Sequence, residues 1–182
     1  MQQRIREGKG FSLHELTLVV GSLAVLSGIS VPVMSGVLQR SYNTGAVDAL
    51  GSAIRDARMR AIATGWQYRV VVFDSAGPVP NAFRIEGMDP TIGGAWPAAT
   101  ATNPPAFSGS NQAYEPYNSL DRDFRRAQIQ IPSGGPTFTV TFDSRGQQAT
   151  ACVPLGCQVQ VTSKAGTSTI TVSQAGAVQI AR

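Results

Sequence analysis

The sequence predicts an α+β protein: a long N-terminal helix, membrane-spanning in its first half and amphipathic in its second, packed on an antiparallel β-sheet domain. Three observations predict it. Residues 16–38 form an uncharged apolar run, long enough to cross a bilayer as a helix with some tilt. Over residues 40–63, Val47, Leu50, Ile54, Ala57 and Ala61 recur at spacings of three and four, the period of a helix with one buried face. Beyond Gly65, short β-branched and aromatic runs alternate with turn residues, and a chain of 182 residues with 14% charged residues, 19 glycines and 11 prolines favours short strands over a second long helix.

The chain opens with a short polar leader, residues 1–10, in which Arg4, Arg6 and Lys9 outweigh Glu7. Those cations hold the N-terminal side of the apolar run in the cytoplasm and send the C-terminal domain to the periplasm or its equivalent. A conventional secretory signal would place its apolar core at residues 16–33 and its cut near the small residues of 30–36; an uncleaved signal anchor is the other alternative. Both account for the apolar run, and neither accounts for Gly10-Phe11 or for Glu15. Within the run, Pro32 removes a backbone hydrogen bond and crowds the preceding turn, so a kink or melted turn is expected at residues 28–32. Ser12-Leu13-His14-Glu15 fits a capping box, and a carboxylate is favoured at a helix N-terminus by the peptide dipoles.

Taken together, Lys9-Gly10-Phe11-Ser12-Leu13-His14-Glu15 and the apolar run behind it resemble the class III signal of type IV prepilins and pseudopilins. The resemblance implies that residues 1–10 are a leader removed by a prepilin peptidase between Gly10 and Phe11, and that the new N-terminal Phe11 is N-methylated. It further implies a transmembrane and assembly helix at 11–38, its amphipathic continuation at 39–64 and a periplasmic β-rich globular domain at 65–182. Glu15 would neutralise the free amine of Phe11, on its own or a neighbouring subunit.

In the amphipathic half, Arg55, Arg58 and Arg60 are either a partner patch or a solvated face shared with Asp56. Gly65 suits the residue that ends the helix. Residues 68–73 read as a strand, 74–80 as a turn and 82–86 as its hairpin partner. A long loop at 87–118 carries Trp96, Phe107, Tyr114 and Tyr117, which either pin it to the sheet or meet a partner. Asp121 and Asp123 beside Arg122, Arg125 and Arg126 read as salt-bridged surface in preference to a calcium site. Strands follow at 125–131, 137–142, 158–163, 167–173 and 177–180, divided by turn residues, as one antiparallel sheet packed on the helix.

The chemistry is that of a structural protein. There is no P-loop, paired-glycine fingerprint or Cys–His pair, and the sole histidine, His14, sits at the apolar end, so no catalytic residue, cofactor or metal is implied. Cys152 and Cys157 are the only cysteines; outside the cytoplasm their spacing suits a small disulfide loop, unpaired thiols being the alternative. The formal charge is +4, and loss of the leader leaves +2, which gives little non-specific attraction to phosphate.

Within the prepilin-like proteins the resemblance narrows to the GspH/FimT family. It is carried by the helix, the strand at 68–73, Phe142-Asp143-Ser144-Arg145-Gly146, and the last short strand after Gly176. It implies a pilin-like fold and a low-abundance subunit at or near the tip of a type II secretion pseudopilus or type IV pilus, where it helps start assembly. The implied partners are the inner membrane, the prepilin peptidase/N-methyltransferase and other minor and major pilins or pseudopilins. FimT-like members that bind DNA in natural transformation carry a C-terminal Gly-Arg-x-Arg motif. The matching Gly176-Ala177-Val178-Gln179 lacks both arginines, and Arg182 is the only nearby cation. A DNA-binding minor pilin is therefore the alternative, and a membrane-anchored structural subunit the main expectation.

Overall fold

The computed structural model describes residues 12–89, 91, 96, 112–124, 127–132, 135–149 and 157–182, with the side chains of 29–33 and 112–114 outside the described set. The chain divides into two compact units, Met1–Leu38 and Gln39–Arg182. Helix α1 spans Leu13–Thr64, contributing to both. In the first unit its large apolar side chains are exposed, Leu18, Val25 and Leu26 each by more than 60%. Among the described residues, no helix is long and apolar enough to cross a membrane. The helix is unbroken at residues 28–32, so the melted turn does not occur; the kink at Pro32 falls on a side chain outside the described residues.

The second unit begins on the amphipathic part of α1. Val47, Leu50, Ile54, Ala57 and Ala61 are all fully buried, joined by Ala46 and Ala53. The face is made largely of small residues, which lets neighbouring elements come close. A methyl group on Gly51 would sit 3.1 Å from Ile180 Cδ1, and one on Gly45 2.5 Å from the Phe124 ring. Gly65, with φ +73°, ends the helix, and its N–H returns to the Ala61 carbonyl at 3.0 Å, as a left-handed glycine at a helix end should.

Among the described residues, two antiparallel sheets follow, where one was expected. The first joins β1 (Gln67–Phe73), β2 (Ala82–Met88), β3 (Gln112–Tyr114), β4 (Asn118–Ser119) and β6 (Thr137–Phe142), in the order β3-β2-β1-β6 with β4 also on β2. The second joins β5 (Gln128–Gln130), β7 (Gln158–Ser163), β8 (Gly166–Val172) and β9 (Val178–Ala181) in the order β5-β7-β8-β9. One four-residue helix, α2 (Leu120–Asp123), precedes β5. The expected loop at 87–118 is thus interrupted: β2 reaches Met88, and β3 and β4 return to pair with it. At three and two residues, β3 and β4 are too short to show an alternating pattern.

Alternation decides which side chains face α1. Tyr68, Val70 and Val72 of β1, Phe83 and Ile85 of β2, and Phe138, Val140 and Phe142 of β6 share one core with the helix. Val159 and Val161 of β7, Ile170 and Val172 of β8 and Ile129 of β5 close the same core from the second sheet.

Asn81 ties the two sheets together. It is 4% exposed and holds φ +49°, a left-handed conformation that asparagine tolerates better than most residues. Its Oδ1 accepts from the Ile129 N–H of β5 at 2.9 Å, and its Nδ2 donates to both Asp121 carboxylate oxygens at 3.2 Å. Its carbonyl accepts from the Leu120 N–H at 2.9 Å. Asn81→Ala orphans a buried N–H and keeps an unfavourable φ, so we expect a loss of about 2–3 kcal/mol in denaturant unfolding.

Two glycine turns are stacked beside the last turns of α1. In Phe142-Asp143-Ser144-Arg145-Gly146 the Asp143 carboxylate accepts from the N–H groups of Arg145 at 2.9 Å and Gln147 at 2.8 Å. The Gly146 N–H closes on the Asp143 carbonyl at 2.9 Å. The β8–β9 turn repeats the device: the Gly176 N–H closes on the Ser173 carbonyl at 2.8 Å, and Ser173 Oγ accepts from the Ala177 N–H at 3.1 Å. Arg58 Nε donates to the Gly146 carbonyl at 3.0 Å, fastening the pair to the helix.

Candidate functional site

The N-terminal turn of α1 is a reciprocal capping box. The Glu15 N–H donates to Ser12 Oγ at 3.2 Å, and the Ser12 N–H donates to Glu15 Oε2 at 3.3 Å. The carboxylate is thereby turned back along the chain, one peptide away from residue 11. Gly10 and Phe11 lie outside the described residues, and so does the leader.

The three arginines of the amphipathic half do not share one environment. Arg55 is exposed, Arg58 is spent on the Gly146 carbonyl, and Arg60 pairs with Asp56 at 2.7 Å and with Glu115. Burial alone would lower the Arg60 pKa; the hydrogen bonds and charges of Asp56 and Glu115 outweigh it and raise the value. Asp56 and Glu115 also edge a groove of about 510 Å3 floored by Ala53, Phe83 and Ile85. Near it, Asp121 serves Asn81 while Asp123 lies 3.5 Å from Arg122 Nε. Among the described residues, no cluster of metal-ligating side chains exists.

A buried cluster of charged side chains was not singled out from the sequence. On the face of the first sheet turned away from α1, Arg69 stands opposite Glu86 and Val71 opposite Arg84 in the β1–β2 register. Arg84 and Glu86 are fully buried and Arg69 is 6% exposed. Glu86 is clamped between both guanidinium groups, by Arg69 through Oε2 and Arg84 through Oε1. Aromatic residues of the loop lie over them: Arg69 Cζ is 4.5 Å from the Trp96 ring centroid and Arg84 Cζ 4.6 Å from that of Tyr117. Arg84 also donates to the Tyr117 hydroxyl, and the Tyr117 ring tilts against Phe73 at 5.5 Å. Burial pushes the Tyr117 pKa up, with Arg84 opposing. Trp96 and Tyr117 therefore do pin the loop to the sheet. The signal that could have found this face is Arg84-Ile85-Glu86, whose charges at alternate positions share one side of a strand.

At the C-terminus, Gly176-Ala177-Val178-Gln179 leads into the edge strand β9, and Arg182 pairs with Asp48 at 2.6 Å. Cys157 is buried and accepts from Gln148 Nε2; among the described residues no cysteine is free. Cys152 lies outside the described residues.

These features define an α+β fold in which antiparallel sheets pack on the C-terminal part of α1, a helix whose N-terminal part is apolar and exposed. No family model and no curated protein matches the chain. Among solved structures it is similar to the type IV minor pilin FimU of Pseudomonas aeruginosa in two crystal forms. The first has TM-score 0.47 and 15% identity over 78% of this chain and 89% of that one. The second has TM-score 0.45 and 15% identity over 75% and 90%.

Proposed function

We propose that the protein is a minor pilin or pseudopilin, anchored in the inner membrane through residues 11–38, cut after Gly10, N-methylated on Phe11 and drawn into a filament by its helix. The observation that carries this reading is an apolar helical segment whose large aliphatic side chains are exposed among the described residues. Leu16, Leu18, Leu23, Val25, Leu26, Met34 and Val37 are each 57–66% exposed. Each large aliphatic side chain left in water forgoes about 1.5–3 kcal/mol of burial, so the segment requires either lipid or neighbouring helices. Its preceding basic leader, the Gly10-Phe11 junction and the one carboxylate just inside it are the parts such a subunit needs, in the order it needs them. On this reading the C-terminal unit faces the periplasm and initiates assembly at or near the filament tip. Cys152 and Cys157 pair there, and exposed Arg55 is available to a neighbouring subunit.

Glu15 has two successive duties under this proposal. Before cleavage it accepts from the Ser12 N–H; afterwards, four residues along the chain from the new Phe11 ammonium, it offsets that charge as the helix leaves the bilayer. Mass analysis of the N-terminus of membrane-extracted protein tests the processing: a methylated Phe11 start is expected, and an intact Met1 end, or a start near residue 36, overturns it. Glu15→Val tests assembly. We expect at least about a tenfold fall in filament incorporation with cleavage preserved, on the scale of one lost charge pair in an apolar setting; unchanged incorporation sinks the assembly role.

A further inference from the structure

We draw no further inference here: the strongest candidate, the groove of about 510 Å3 between α1, β2 and α2, has an acidic rim on which Asp56 and Glu115 already pair with Arg60, and nothing in the structure shows what covers its apolar floor.

Discussion

Glu86→Gln should destabilise the protein by about 3–5 kcal/mol, the cost of leaving buried charge without its counter-ion. The substitution keeps the volume and removes only the negative charge, so packing cannot explain the loss. Arg84 and Arg69 would then face each other across a nearly water-free sheet face with no anion between them. Arg84→Met makes the contrast. It leaves Arg69 and Glu86 as a neutral pair, exchanges a desolvated cation for an apolar side chain, and should cost about 1–2 kcal/mol at most. Denaturant unfolding of the detergent-solubilised chain, followed by far-ultraviolet circular dichroism, measures both. Equal losses for the two variants would mean that packing against Tyr117 and Trp96, and not charge, holds this face.

Gly176→Ala should be nearly as damaging. A Cβ at this position would lie 2.2 Å from the Gly146 carbonyl oxygen, a backbone atom that cannot move without disturbing its own turn, and φ is +76°. The left-handed conformation alone costs an L-residue about 1–2 kcal/mol, and the overlap adds about 1–3 kcal/mol. Gly65→Ala separates the two terms, because φ there is +73° and nothing lies within 4 Å. We expect about 1–2 kcal/mol for Gly65→Ala and about 2–5 kcal/mol for Gly176→Ala, both read from the same unfolding experiment. Matching losses would show that the Gly176 turn shifts away from Gly146.

The parts legible in the sequence are those with local causes. Val47, Leu50, Ile54, Ala57 and Ala61 show the helix and its buried face together, because a 3.6-residue period is written into adjacent turns. The strands at Thr137–Phe142 and Gln158–Ser163 match their expected bounds for the same reason. Partition into two sheets was not legible, since alternation marks a face without naming the neighbour. The burial of Arg69, Arg84 and Glu86 was hidden more deeply. Charges at alternate strand positions are the pattern of a water-facing side, and among the described residues Tyr117 and Trp96, brought back by the loop, cover it. At the N-terminus the order of leader, junction and apolar run was readable, while Ser12 and Glu15 form the local cap that either reading allows.

The stacked turns at Gly146 and Gly176 also bear on how the protein breathes. Gly146 ends the turn after β6 of the first sheet, Gly176 lies between two strands of the second, and Arg58 holds the Gly146 turn to α1. Gln148 N–H bonds the Gln174 carbonyl at 3.0 Å, adding a strap between the same two segments. Opening the Gly146 turn breaks the Arg58 bond to α1, and parting the two segments breaks the Gln148–Gln174 bond. Their amide protons should therefore exchange through one shared opening with the last turns of the helix. The free energy of that opening sets how readily this end of the unit can loosen while the remaining sheet stays folded.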